Sequence, residues 1–248
     1  MLRFPVLSFM VASQGYAVIP SFISSTATSG NATSFTFSHN PDSAANSILL
    51  LTIGVNTATN PAVSTVTFNG TSLTLKYNAN FSGQTQNEVW YLLNPATFTA
   101  NIIVTLGASA KAAMGATSYS GVNQTTPFGA STSATSNVLL VSLTLTTTTA
   151  NSLIIVDPAN QFTAAGVTST SGMTERYAIS TSGNPNSSNE HSCIADLSAP
   201  TTGKYNPTYL YLTNNNNILM FGFELVAAGN PDRQLKVRKN IKVNSWSR

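Results

Sequence analysis

Apolar and polar residues alternate with a period of two along most of this chain. Val66-Thr-Phe-Asn-Gly-Thr-Ser-Leu-Thr-Leu75 shows the pattern best: two short alternating runs flank Asn69-Gly70. That dipeptide suits a type I′ hairpin, whose two central residues both need positive φ. Val66 and Phe68 are expected on one face before the turn, and Leu73 and Leu75 on the same face after it. Similar alternation predicts strands at Ser34–His39, at Ile102/Val104/Leu106, at Leu139/Val141/Leu143/Leu145 and at Leu219/Phe221/Phe223/Leu225. Asn87–Leu93 is another strong strand, closed by Asn94-Pro95, and Ser47–Val55 is apolar on both sides, as a central strand covered on both faces should be. Ser152–Val156 reads the same way and is expected to end at Asp157-Pro158. Lys111–Tyr119 is rich in small residues, which predicts a strand packed close to a neighbour. Thr174–Ser180, Ser192–Leu197 and the segment holding Tyr209 to Leu212 are weaker strand signals. Ser25–Asn31, Asn78–Gln86 and Asn160–Gly172 read as loops.

No stretch carries a helical period. Many short strands separated by turn residues predict an all-β fold, a jelly-roll-like antiparallel β-sandwich with extended N- and C-terminal arms. The expected divisions are an arm over residues 1–16, a body over 17–228 and a basic arm over 229–248. Met1–Ala12 has one charge and an apolar run, as a signal peptide would, but Pro5 interrupts it. No apolar run approaches the ~18–20 residues that span a membrane as a helix.

Composition sharpens this picture. Of 248 residues 42% are hydrophobic and only 8% charged, against about 25% in ordinary domains. Ser, Thr and Asn supply the polarity, as in half-buried extracellular or virion-surface strands. The net charge of +3 is unevenly placed. Arg233, Lys236, Arg238, Lys239, Lys242 and Arg248 against Asp232 give the last 18 residues +5, which leaves −2 on the rest. The body is therefore not expected to bind nucleic acid. Cys193 is the single cysteine, so no intrachain disulfide forms; a buried, inert thiol is expected.

The candidate chemistry is sparse. Glu88 and Trp90 share a strand face, a pairing seen in sugar sites, but no second carboxylate stands at the spacing a glycosidase needs. His39 and His191 stand in no dyad context, and two histidines with one cysteine argue against a transition-metal centre. A loop such as Asp157–Asn160 could offer oxygen ligands to a weakly held Ca²⁺. No cofactor is expected. Trp90, Tyr205, Tyr209 and Tyr211 are candidate aromatics for a glycan or a subunit contact. In the tail, Leu235/Val237 and Ile241/Val243 alternate with basic or polar residues and suit addition to a sheet edge. With Arg238, Lys239 and Trp246 they are the candidate subunit-contact residues.

Three stretches together carry a resemblance: Val66–Leu75, Glu88-Val-Trp-Tyr-Leu-Leu-Asn-Pro95 and Ser118-Tyr-Ser-Gly-Val-Asn-Gln-Thr-Thr-Pro127. Preceded by Ser34–His39 and Leu49–Val55, they resemble a β-sandwich module of tailed-phage structural proteins and bacterial surface proteins. The likeness covers about Ser34 to Asp157. It implies a non-enzymatic structural protein of a virion, above all an outer capsid decoration (cement) protein or another capsid, tail or fibre component. The partners it implies are other copies of the chain, a trimer among the options, and a major capsid or other virion protein. A secreted glycan-binding or adhesive module at the cell surface, or an extracellular filament subunit, is the alternative.

Overall fold

The computed structural model describes residues 19–56, 63–81, 83, 85–161, 167–169, 172–181, 189–211 and 217–229. The strands are β1 (Ser21–His39), β2 (Ile48–Asn56), β3 (Val63–Phe68), β4 (Thr71–Ser72), β5 (Thr74–Phe81), β6 (Thr85–Leu93), β7 (Ala100–Ser120), β8 (Phe128–Ser136) and β9 (Leu140–Ser142). They continue with β10 (Leu145–Thr146), β11 (Ser152–Asn160), β12 (Val167–Ser169), β13 (Thr174–Ser180), β14 (His191–Ala199), β15 (Lys204–Tyr205), β16 (Thr208–Tyr211) and β17 (Ile218–Leu225). All pairings are antiparallel and no helix occurs among the described residues, so the chain is an all-β sandwich protein.

The strands repeat one plan twice. In the first half, β1, β7, β2, β6 and β5 lie side by side in that order; in the second half β8, β17, β11, β14 and β13 do the same. A smaller sheet faces each set. It is the end of β1, the start of β7 and β3 in the first repeat, and β9, β16 and β12 in the second. Registers correspond as well: Ile48 opposes Leu93 and Tyr119, and its counterpart Leu153 opposes Ser198 and Leu225. The sequence bears the same trace. Ala45-Asn-Ser-Ile-Leu-Leu-Leu51 and Ala150-Asn-Ser-Leu-Ile-Ile-Val156 enter β2 and β11, with Asn46 and Asn151 at φ 55° and 57°.

Three cores follow from the period-two pattern. Leu49, Leu51, Ile53 and Val55 face the first sandwich, and Ile154 and Val156 face the second. The other faces of β2 and β11, with Ile48, Leu50, Leu153 and Ile155, meet in a third core that joins the repeats. This is why both strands are apolar on both sides. At roughly 1.5–3 kcal/mol per buried aliphatic or aromatic side chain, this shared core binds the repeats firmly.

The Asn-Gly hairpin forms as expected, with φ 49° at Asn69 and 76° at Gly70 and Leu73 N–H donating to Val66 O at 2.9 Å. Val66, Phe68 and Leu73 are buried, but Leu75 is 41% exposed. The chain leaves β3 at Leu73 and pairs next with β6, which turns Leu75 outward. Ser25–Asn31 is not a loop: β1 runs unbroken from Ser21 to His39 because the 21-residue β7 templates it along its whole length. Its polar residues reflect a half-exposed strand. β5 and β6 absorb most of the loop expected over Asn78–Gln86. Asp157-Pro158 does not end its strand either. β11 continues to Asn160, and Pro158 sits inside it opposite Met220, at the loss of one ladder donor. The expected arms over 1–16 and from 230 on lie outside the described residues. So do Leu235, Val237, Arg238, Lys239, Ile241, Val243 and Trp246.

Candidate functional site

The most developed polar and aromatic chemistry lies on the seam between the repeats. Thr52 on β2 faces Ser192 on β14, and the counterpart positions Asp157 on β11 and Asn87 on β6 face each other in the same way. Thr52 Oγ1 and Ser192 Oγ are 3.5 Å apart. Asn87 Nδ2 donates to Asp157 O at 3.1 Å and to Oδ2 at 3.0 Å. The same two positions of each repeat therefore meet across an approximate two-fold axis. Tyr177 joins the cluster, its hydroxyl hydrogen-bonded to Thr52 Oγ1 and 3.0 Å from Ser192 Oγ. Burial pushes the Asp157 carboxyl well above the usual carboxylate range and the Tyr177 phenol upward, so both are neutral hydrogen-bonding groups here.

A pair of matched bulges flanks the axis. Each of β5 and β13 shifts register once, at Lys76-Tyr77 and at Arg176-Tyr177. Each bulge sends its cation over a phenylalanine of the other repeat. Arg176 Cζ lies 4.2 Å from the Phe22 ring centroid and Lys76 Nζ lies 4.8 Å from that of Phe128, and Phe22 and Phe128 are themselves counterparts. Arg176 also forms a two-pronged ion pair with Asp196, Nε to Oδ2 at 2.6 Å and Nη2 to Oδ1 at 2.9 Å. Cation–ring and fork-shaped carboxylate contacts of this kind pin orientation as well as adding energy.

The tyrosines behave differently. Tyr177 lies over Gly115, where a Cβ would stand only 2.3 Å from its ring. The counterpart of Gly115 is Phe221, opposite Asp157 as Gly115 is opposite Thr52. Tyr77 cannot enter there and stacks on Phe221 instead, with centroids 5.7 Å apart and planes at 28°. A groove of ≈ 160 Å³ remains beside it, lined by Tyr77, Ser131, Thr132, Ser133, Phe221 and Gly222.

One end of the second sandwich buries polar groups with few partners. Neither Glu190 carboxyl oxygen, neither His191 nitrogen and neither Asn160 amide atom has a hydrogen-bond partner among the described residues. Burial raises the Glu190 carboxyl pKa well above its ordinary value and lowers that of His191 to about 3, so both are held neutral. Gly54 makes room for Glu190, since a Cβ there would lie 2.9 Å from Oε1.

The aromatics singled out by sequence do not form a site together. Tyr209 and Tyr211 are both 0% exposed, with ring centroids 5.6 Å apart inside the second core. Their face of β16 points inward, so they cannot stack on a glycan. Trp90 packs on the first core and Tyr205 on the second. Trp90 donates from Nε1 to Glu88 Oε2 at 2.6 Å, Gln86 donates to Oε1, and Glu88 is 2% exposed. Tyr205 donates from its hydroxyl to Thr201 O at 2.8 Å. Cys193 is buried with its thiol pushed up by burial, as an inert group should be. Asp157 and Asn160 lie buried within β11, not in a ligand-offering loop. No group of three or more His, Cys, Asp or Glu among the described residues is placed to hold a metal ion. Tyr77 and the hydroxyls of β8 carried no sequence signal of their own, and Phe221 only that of its alternating strand. The repeated Lys76-Tyr77 and Arg176-Tyr177 pairs were the available clue.

No family model, no curated protein and no solved structure matches this chain.

Proposed function

We propose that the chain is a non-enzymatic structural protein of a phage virion, an outer capsid decoration (cement) protein by preference, whose partners are other copies of itself and a major capsid protein. The observation that carries this reading is the way the seam uses its polar groups. Thr52 bonds to Tyr177 and Asn87 to Asp157 across the seam, and Arg176, held by Asp196 of its own repeat, lies over Phe22 of the other. Two sandwiches so joined make a rigid block, suited to bearing load between neighbours. The resemblance over Ser34–Asp157 supports the same reading, and the basic tail supplies a tether.

Particles purified from the source culture test it. Recovery of this chain at a fixed ratio to the major shell protein, with immunogold label on the outer surface, is the expected result. Recovery only in particle-free supernatant overturns it. The secreted glycan-binding alternative now rests on Trp90 and Tyr205 alone; binding on a glycan array that Trp90→Ala or Tyr205→Ala abolishes would decide for it.

A further inference from the structure

The two flanks of the seam are counterparts, yet one is closed and the other open. On the closed flank β1 lies along β13. Ser25 Oγ donates to Arg176 O and Ser29 Oγ to Ser180 O, both at 2.8 Å. On the open flank the counterpart of Ser25 is Ser131, and the ≈ 160 Å³ groove it lines lies between Tyr77 and β8. Among the described residues β8 pairs only with β17. Its nine residues, Phe128-Gly-Ala-Ser-Thr-Ser-Ala-Thr-Ser136, contain no charge and no proline. Natural edge strands are usually blunted by one or the other, because an unpaired edge accepts another strand. The groove is smaller than the ~300–1,000 Å³ of small-molecule sites, but it has room for aliphatic side chains over the Tyr77 and Phe221 rings.

We propose that this flank receives the C-terminal segment of a second copy as an added strand on β8, with Leu235 and Val237 turned into the groove and Lys236 and Arg238 turned to water. The inference rests on the arm-tethered assembly proposed above and names its receiving surface. The alternation of Leu235-Lys-Val-Arg238 fits a strand with one face on an apolar floor. A second copy is favoured over the chain's own tail by direction. β17 runs antiparallel to β8 with Leu225 opposite Phe128, and Asn123 and Ala228 bonds pin the exit at Gly229 near the start of β8. Antiparallel addition with Leu235 over Ser133 and Val237 over Ser131 starts about 17 Å away at ~3.4 Å per residue. The six residues from Gly229 to Leu235 span only ~20 Å at full extension. The chain's own tail would therefore have to run almost fully extended and reverse with no residues left for the turn; a neighbour's tail has no such limit.

The test uses the full chain. Light scattering should give at least twice the single-chain mass of 26.1 kDa. Deleting residues 231–248 should return it to that mass with an unchanged β circular-dichroism spectrum. Ser133→Arg, which puts bulk and positive charge in the groove, should do the same, while Ser133→Thr should not. Mixing a tagged Ser133→Cys chain with an untagged Leu235→Cys chain should give a disulfide-linked heterodimer on a non-reducing gel; Cys193 is buried and does not compete. A full chain of single-chain mass overturns the proposal. Assembly lost on deletion but kept in Ser133→Arg, with no heterodimer, overturns this docking site and leaves the arm reading standing. Assembly kept on deletion overturns both. A Ser133→Cys/Leu235→Cys double variant that closes only within one chain overturns the second-copy assignment.

Discussion

Glu224→Gln tests how far buried charge stabilises the second sandwich. The Glu224 side chain on β17 is fully buried and accepts five hydrogen bonds. Oε1 takes the Thr149 N–H at 2.9 Å and its hydroxyl at 2.7 Å. Oε2 takes the Thr148 N–H and hydroxyl at 2.8 Å each and the Ala130 N–H at 3.0 Å. Gln presents an NH₂ group to one of these donor sets. A threonine hydroxyl can rotate and accept from it, but at least one buried N–H is left facing a donor. That costs about 1–3 kcal/mol, and the remaining bonds lose their charge assistance. A total of roughly 3 kcal/mol follows. The donors also hold the carboxyl at a pKa of about 2 in place of 4.5, which corresponds to about 3 kcal/mol of preference for the ionised form. Because the folded pKa is lowered, this stability is complete above pH 4.5 and is lost as pH falls toward 2. Urea unfolding followed by circular dichroism should place the variant about 3 kcal/mol below the parent at pH 7, with the gap narrowing between pH 4.5 and 2.5. A gap under ~0.5 kcal/mol at pH 7, or one that does not narrow in acid, refutes the reasoning.

Gly115→Ala should cost ~2–4 kcal/mol by expelling the Tyr177 ring from the seam; combined with Tyr177→Ala it should cost less than the two single changes added, read by double-mutant thermal unfolding. Phe223→Ala removes a fully buried ring from the core that both repeats share and should lower stability by about 3–5 kcal/mol while unfolding stays a single transition; two separated transitions would show that the repeats do not fold as a unit. Asp157→Asn should be tolerated near pH 4 and relatively stabilising as pH rises to 7, because a carboxyl whose pKa is raised by burial contributes stability only below its unfolded pKa and loses it as pH rises; constant relative stability from pH 4 to 7 would count against a buried neutral acid. His39 and His191, lowered to about 4 and about 3 by burial, bind protons more readily when unfolded, so His39→Gln should flatten the loss of stability as pH falls from 6.5 toward 4; an unchanged slope over that range argues against its being buried neutral.

Most of the strand content was legible because period-two alternation follows directly from the pleat. The Asn69-Gly70 turn was legible because few dipeptides tolerate two positive φ values. Doubly apolar runs at Ser47–Val55 and Ser152–Val156 announced central strands. What the alternation could not announce was why both runs are covered twice: each is the centre of its own sandwich and also half of a shared core. Ser25–Asn31 misled because an edge strand templated by a long neighbour needs no apolar face of its own. Asp157-Pro158 misled because a central strand can lose one ladder donor when its other residues are fully packed. Tyr209 and Tyr211 misled because spacing gives the face they share but not which way that face points. The seam was illegible for a different reason. Its hydrogen-bonded pairs join positions 70 to 140 residues apart, and only matching Ala45–Leu51 against Ala150–Val156 brings them into line.

The duplication explains why one flank alone is open. Two identical repeats would bury or expose both flanks alike, since every seam contact would occur twice. Divergence at one pair of counterparts breaks the tie. Gly115 leaves space for Tyr177, which reaches Thr52 and Ser192, and beside it β1 lies along β13 through Ser25 and Ser29. Phe221 fills the matching space, holds Tyr77 outside in a stacked pair and, among the described residues, leaves β8 with an unpaired edge beside a ring-floored groove. A bulky residue at 221 does serve the shared core, where Phe221 packs with Phe223 and Leu225. The same side chain therefore strengthens the seam and exposes the edge. A closed flank and an open one make the block directional, and under the tail docking proposed above neighbours would join in one orientation only. A symmetric ancestor would have offered two equivalent edges and no preferred order of assembly.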